Sequence, residues 1–325
     1  MLFPVFFIIM TTFPSAFIIP TLAVMLDSIL GDPKKLPHPV RFIGKWLDLY
    51  ENAARKVKIN LGIAGWIAVL LFASVSWGIV ALVTVIPYLG VLISLYLSYA
   101  GLALGCLIKE SSKVLHVLES GDIVGARKAI AMLVSRDTSE LDANGIRRTL
   151  AETVSENLND GFVAPLFYLC LFGPGGLWAY KTVSTMDSMW GYRTERFNDL
   201  GRGAAKTDDL LAWLPARITA YLMIIAGKLR GLNIKETKKH FKKDARKMES
   251  PNAGWPMATA AWLIGGQMGG PTVYFGTVKD KPVLGPIDKP WDKTMIRALI
   301  GLCDKTGTIA AWVFIPVLGM LSLAF

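Results

Sequence analysis

A chain of 325 residues that is 53% hydrophobic, 18% charged and positive in mean hydropathy is too apolar for an ordinary soluble domain, where the charged share is about a quarter. Its 35 Lys and Arg against 25 Asp and Glu leave a net charge of +10, which in such a chain points to inward-facing basic loops or an anionic substrate and not to nucleic acid. The three cysteines (Cys106, Cys170, Cys303) form no CxxC pair and the three histidines are unpaired, which argues against a disulfide framework and against zinc.

Residues 3–26 form the first uncharged block, interrupted by Pro14 and Pro20. No basic segment precedes it, so it reads as a span and not as a cleaved signal. Blocks at 61–86 and 88–108 follow, with Pro87–Tyr88 as the turn between them. Each is long enough to cross a hydrocarbon core of about 30 Å at about 1.5 Å per residue. Weaker blocks lie at 162–180, 209–227 and 308–325, and the Gly-rich stretch 255–276 could be buried or re-entrant. The FGPGG string at 172–176 predicts that 162–180 dips into the membrane and returns, which requires protein or a cavity around the broken backbone. The expected fold is all-α: a polytopic integral membrane protein with four to six membrane-embedded helices joined by charged helical connections.

Those connections carry the basic residues. Lys34, Lys35, Arg41, Lys45, Arg55, Lys56 and Lys58 fall within 27–60, and nine more Lys and Arg fall within 228–249. The positive-inside rule puts both in the cytoplasm, with 109–160 and 181–208, and puts the N-terminus outside. The chain then reads as one membrane domain over 1–325, with cytoplasmic polar segments near 27–60, 109–160, 181–208 and 228–306.

Residues 137–161 hold the densest polar pattern. Asp137 with Glu140 looks like an N-cap and its partner, and Gly161 like a helix stop. Within this helix Ile146, Leu150, Val154 and Leu158 form an apolar stripe, while Arg148, Glu152, Glu156 and Asp160 recur every four residues on another face. The bland reading is a solvated face on which Arg148 pairs with Glu152. The sharper one is a hard-cation site, where carboxylates gather Mg²⁺ that bridges phosphate oxygens. Downstream, Asp187 sits in a mostly uncharged run, Asp208–Asp209 abuts an apolar block and Arg217 lies inside the next one, where ionisable groups usually mark a site. Arg193 and Arg196 read equally well as phosphate ligands or as anchors for anionic lipid. His38 alone reads as a structural hydrogen-bonder, and the loop 250–256 with Asn252 as a connection or a backbone clamp. No GxxxxGK[ST] occurs. Asp304–Thr308 copies the phosphorylation string of P-type pumps, but too little chain follows it for a pump.

The ordered motifs resemble one family, the CobD/CbiB proteins of cobalamin biosynthesis (adenosylcobinamide-phosphate synthase). The resemblance rests on Asp27-Ser28 with Gly31-Asp32-Pro33 and His38-Pro39; Ser135-Arg136-Asp137-Thr138; Glu152 through Asp160-Gly161; Ala164 to Tyr168; Asp187-Ser188-Met189; Asp208-Asp209 with Pro215-Ala216-Arg217; and Ser250 to Gly254 with Gly269-Gly270. Lys206 and Ala212 depart from the pattern, where an Arg and an Asn are expected, and Lys206 loses a bidentate fork.

The resemblance implies an ATP-dependent ligase that joins adenosylcobyric acid to aminopropanol or its phosphate at the cytoplasmic face of the cell membrane. It also leaves room for a complex with other membrane enzymes of that pathway. On this reading Glu152, Glu156, Asp160, Asp208 and Asp209 would hold Mg²⁺. Arg136, Arg148, Asn157, Arg217, His38 and Asn252 would bind substrate and ATP. Asp137, Glu152, Glu156 and Asp187 would serve the chemistry, with Asp187 ordering the amine. Two other classes compete: a Mg²⁺-dependent membrane prenyl- or phospho-transferase, which lacks here its second acidic residue three or four positions on, and a transporter, for which no inverted repeat is visible.

Overall fold

The computed structural model describes residues 3–32, 38–57, 59–274 and 277–322; Pro33, Lys34, Lys35 and Lys58, which entered the reading above, lie outside the described residues. In chain order the elements are α1 (Phe3–Leu30), α2 (Pro39–Lys56), α3 (Leu61–Thr84), α4 (Leu89–Ala100), α5 (Leu104–Glu119), α6 (Ile123–Ala131) and α7 (Ala143–Leu158). A π-helical turn (Asn159–Val163) leads into α8 (Ala164–Trp190), α9 (Arg202–Leu229), α10 (Ile234–Ala245) and α11 (Gly254–Ile264). The strands β1 (Met268–Tyr274) and β2 (Thr277–Leu284) and then α12 (Lys293–Ser322) complete the order. The all-α expectation holds, with the addition of one antiparallel hairpin formed by β1 and β2. Five segments are long and apolar enough to cross a membrane: Leu61–Thr84, Leu89–Glu119, Ala143–Trp190, Arg202–Leu229 and Lys293–Ser322. They mark the chain as a multi-pass membrane protein.

The chain divides into two compact units, each discontinuous in sequence. The first comprises Met1–Ala103, Ala164–Ala212 and Ala311–Phe325. Its clearest span is α3, whose start is capped by the Asn60 side chain accepting from Ile63 N–H at 3.1 Å. Large aliphatics such as Leu70 and Leu82 face outward, about 70% exposed, as a lipid-facing surface does. The inward face is small: Ala64 and Ala68 are fully buried, and a Cβ on Gly65 would collide with the Leu200 carbonyl. Close approach through small residues is how helices associate where lipid removes the hydrophobic drive. Tyr88, 94% exposed at φ 60°, makes the turn into α4, as expected at Pro87–Tyr88.

The chain reversal that the FGPGG string predicts is present. Gly173 adopts φ 66°, ψ −167° and Pro174 follows, so the two halves of α8 fold against each other. Tyr168 and Tyr180 stack with ring centroids 4.9 Å apart, whereas twelve residues of straight helix would separate them by about 18 Å. The chain therefore reverses at 172–176. A side chain at 173 would strain this backbone, and a Cβ at Gly176 would meet Phe172.

The second unit comprises Leu104–Val163 and Trp213–Ala310. The apolar stripe of α7 is its core, with Ile146, Leu150, Val154 and Leu158 all fully buried. Two details of the expected helix are corrected. Its N-cap is Asp142, which accepts from Gly145 N–H at 2.7 Å, and not Asp137, which closes its own turn by accepting from Ser139 N–H and Oγ–H. Gly161 is no stop: the chain passes through the π turn and continues as α8, because Gly161 does not adopt the left-handed backbone that ends a helix. Elsewhere in this unit α10 exposes Lys235, Lys238, Lys239, Lys242 and Lys243 and buries Phe241 against Trp255.

Candidate active site

The second unit gathers the polar groups of α7. Arg136, in the segment before α7, places Nη2 2.7 Å from Glu152 Oε2, with side chains only 6% and 1% exposed. The other carboxylate oxygen accepts the Gly269 N–H at 2.9 Å. Glu152 is thus a buried, paired anion that ties α7 to the start of β1. Burying a charge is tolerable only with such a partner and hydrogen bond. This corrects the solvated-face reading: Arg148 does not pair with Glu152, but donates from Nη2 to Pro271 O at 3.0 Å. Its buried Nε has no hydrogen-bond partner among the described residues.

The hairpin builds the opposite wall. Gly269 and Gly270 both have left-handed backbone, at φ 82° and 81°, beside a bulge in the pairing of Met268 with Leu284 and Gly270 with Lys281. A Cβ on Gly269 would strike the Pro282 carbonyl, and one on Gly270 would press on the Arg148 guanidinium at 3.4 Å. The bare backbone therefore lets Arg148 lie against the strand. The register across Gly270 brings in Lys281, whose charge acts on Glu156, as do Glu152 and Arg136. The hairpin is fastened at this same open end by Asp244, which accepts from Gly285 N–H at 3.0 Å and Trp262 Nε1 at 2.7 Å. Burial works against the Asp244 carboxylate, but the Lys247 ammonium and these two donors hold it below the usual range.

The other expected residues of this unit are spent more locally. Asn157 donates its amide to Thr153 O and Oγ1, at 2.9 and 3.0 Å. Asp160 lies in the π turn and accepts from Asn159 Nδ2 at 2.7 Å, so the four-residue register that placed it in line with Glu156 is broken. Arg217 donates to Trp213 O at 2.6 Å and Asn252 Oδ1 at 3.2 Å, and its guanidinium lies over the rings of Trp213 and Trp255 at 4.2 and 4.7 Å. Asp137 is exposed, and the Ser139 amide and hydroxyl hold its carboxyl below the ordinary value.

The remaining expected residues belong to the first unit. His38 caps α2 by accepting from Val40 N–H at 3.3 Å and sits 3.9 Å from Asp32. Burial pushes its imidazole below the usual range; Asp32 opposes this, and Lys181 adds to it. Asp187 lies near the end of α8, where a Cβ on Gly191 would collide with its carboxylate. Asp208 and Asp209 sit in the second turn of α9, Asp208 within electrostatic reach of Tyr168 and Asp209 of Arg193.

Among the described residues no three His, Cys, Asp or Glu side chains come together as a metal-holding group. Glu152 has both oxygens committed, so the carboxylates of α7 do not form a dedicated cage. They do fit Mg²⁺ that arrives on a nucleotide, which needs only one or two hard oxygens beside the phosphates. Lys281 and the Gly269 N–H are neighbours of this cluster that sequence reasoning did not place there, and the sole sequence signal for them was the Gly269-Gly270 pair.

A family model described as CobD/Cbib protein matches residues 20–303 and runs through both units. The cobalamin biosynthesis protein CobD of Clostridium perfringens is 38% identical over 296 residues, covering 88% of this chain and 94% of that protein. Its namesake from Geobacter metallireducens is 39% identical over 285 residues (86% and 90%), and the one from Klebsiella pneumoniae 35% over 303 (91% and 95%). No solved structure matches. With most of its length matched at this identity, the chain belongs to the CobD/CbiB family of cobalamin biosynthesis proteins.

Proposed function

We propose that this chain is a carbon–nitrogen ligase of the adenosylcobinamide-phosphate synthase type. It joins the free propionate of adenosylcobyric acid to aminopropanol or its phosphate, at the cost of ATP. The observation that carries the chemistry is the cluster in which Arg136, Arg148 and Lys281 stand around Glu152 and Glu156 beside the bare Gly269–Gly270 backbone. A carboxylate is a poor electrophile. Phosphoryl transfer from ATP makes it an acyl phosphate, and the amine then attacks the acyl carbon, expels phosphate and loses a proton. Such transfer depends mostly on positioning and charge neutralisation by the protein.

In this reading the unspent Arg148 Nε–H and the Lys281 ammonium neutralise phosphate oxygens. Glu152 holds Arg136 and the glycine turn in place, and Glu156 is the carboxylate left for a hard cation or the amine proton. Mg²⁺ bound with ATP supplies further charge neutralisation, with Glu156 and Asp160 as the α7 oxygens offered to it. Asp187, Asp208 and Asp209 stay proposed as a separate acidic set of the first unit, with His38, Asn157, Arg217 and Asn252 as supports for substrate. The exposed lysines of α10 support a cytoplasmic face for the polar segments.

The test is to incubate the detergent-purified protein with adenosylcobyric acid, aminopropanol phosphate, ATP and Mg²⁺ and follow the corrinoid by mass spectrometry. We expect the amide, dependent on ATP. Glu156→Gln should lower turnover at least about a hundredfold while membrane insertion and elution are unchanged, in line with loss of an electrostatic or acid–base group. Full activity in that variant removes Glu156 from the site; no amide from any amino-alcohol removes the ligase reading.

A further inference from the structure

Away from that cluster, the second unit has a pocket of about 490 Å³ where the end of α5 meets the start of α12. Ser112, His116, Glu119 and Ser120 line one side, and Lys293 and Arg297 the other. We propose that this pocket binds a phosphate group, carried either by a small soluble phosphate or by a lipid headgroup. The proposal stands whether or not the chain is a ligase.

Charge carries the argument. Glu119 is the one carboxylate lining the pocket, and Arg147 engages its Oε1 twice, at 2.7 and 3.2 Å. Lys293 lies only loosely by its other oxygen, at 3.8 Å. Arg297 is exposed and makes no hydrogen bond or ion pair with another described residue. Two cations, Lys293 and Arg297, thus line the pocket beside one anion that Arg147 already matches. Lys293 and Arg297 are four residues apart, so one face of α12 presents both. The only other acid at this helix start, Asp292, spends its carboxylate on the Met295 N–H at 2.8 Å, and the positive end of α12 adds to the field. A guanidinium can grip phosphate with two parallel N–H bonds, and the Ser112 hydroxyl adds a neutral donor.

Depth points to the same chemistry. Glu119 ends one candidate span, Leu89–Glu119, and Lys293 begins another, Lys293–Ser322. The pocket lies on the polar ends of both helices, past the apolar blocks 88–108 and 308–325, where phosphate in solution reaches it.

The test uses the full chain in a maltoside detergent, which contains no phosphate, titrated with inorganic phosphate by calorimetry. We expect saturable binding that Arg297→Gln weakens about tenfold or more, as loss of a charge-assisted bond does. Lys293→Gln should weaken it as well, and Lys238→Gln, on the exposed face of α10, should leave it unchanged. Adding phosphatidic acid then separates the sources: competition assigns the site to a lipid headgroup, and its absence assigns it to a soluble phosphate. Equal affinity in wild type and Arg297→Gln, both monodisperse and of equal Tm, overturns the proposal. So does binding that Lys238→Gln weakens as much as Arg297→Gln.

Discussion

Helix α3 is apolar enough to cross a membrane and α7 carries two Arg and two Glu, and the two are covered in opposite ways. In the apolar window of α3 only 17% of residues are buried, whereas α7 buries Ile146, every residue from Thr149 to Ser155, and Leu158. The first helix keeps its large side chains outward and packs through Ala64, Gly65 and Ala68. The second has protein on both faces, an apolar stripe on one and the Arg136–Glu152 pair on the other. Hydropathy alone would rank the first as the more deeply hidden. The comparison teaches that in lipid the apolar face is the outside, and that a charged helix is the one that has to be enclosed by protein.

If enclosure is what α7 requires, the largest effect should come from breaking its charge pair. Glu152→Ala leaves the Arg136 guanidinium buried without its anion and the Gly269 N–H without its acceptor. A loss of about 3–5 kcal/mol follows from such an unpaired charge, read as lower yield of folded protein and a lower Tm in detergent. The double change Arg136→Met with Glu152→Leu should recover much of that loss, because replacing both partners removes the buried charge. Stability unchanged in Glu152→Ala would mean that water reaches this pair and that α7 is not enclosed on its charged face.

How much of this was legible depends on whether a feature is local in sequence. The reversal at 172–176 could be read from Gly173-Pro174-Gly175-Gly176, because those residues alone set the backbone. The apolar stripe of α7 could be read for the same reason. The partner of Glu152 could not: helical spacing offers Arg148, and the structure supplies Arg136 from outside the helix. Asp160 was placed in line with Glu156 by counting in fours, a count that the π turn at Asn159–Val163 breaks. Lys281 has no neighbour in sequence that marks it, and only the hairpin register across Gly270 brings it to the cluster. Asp137 was read as a cap because it precedes a helix, although Asp142 stands closer and takes that role.

One substitution made twice gives the comparison its sharpest form. Leu150 is fully buried in the stripe of α7, and Leu70 on α3 is 70% exposed. Leu150→Ala removes contacts that the surrounding protein cannot replace, and should cost about 2–5 kcal/mol, the cavity included. Leu70→Ala removes the same atoms, but an acyl chain is as apolar as leucine and flows into the space, so no cavity remains. Its cost should be below about 0.5 kcal/mol, the range of surface changes that touch no special feature. Steric trapping or thermal unfolding in bilayer discs reads both values under one condition. A loss at Leu70 as large as that at Leu150 would show a protein surface against α3, which a second copy of the chain would supply. A small loss at both would show that protein does not enclose the stripe of α7, and the cluster beside it would lose its physical basis.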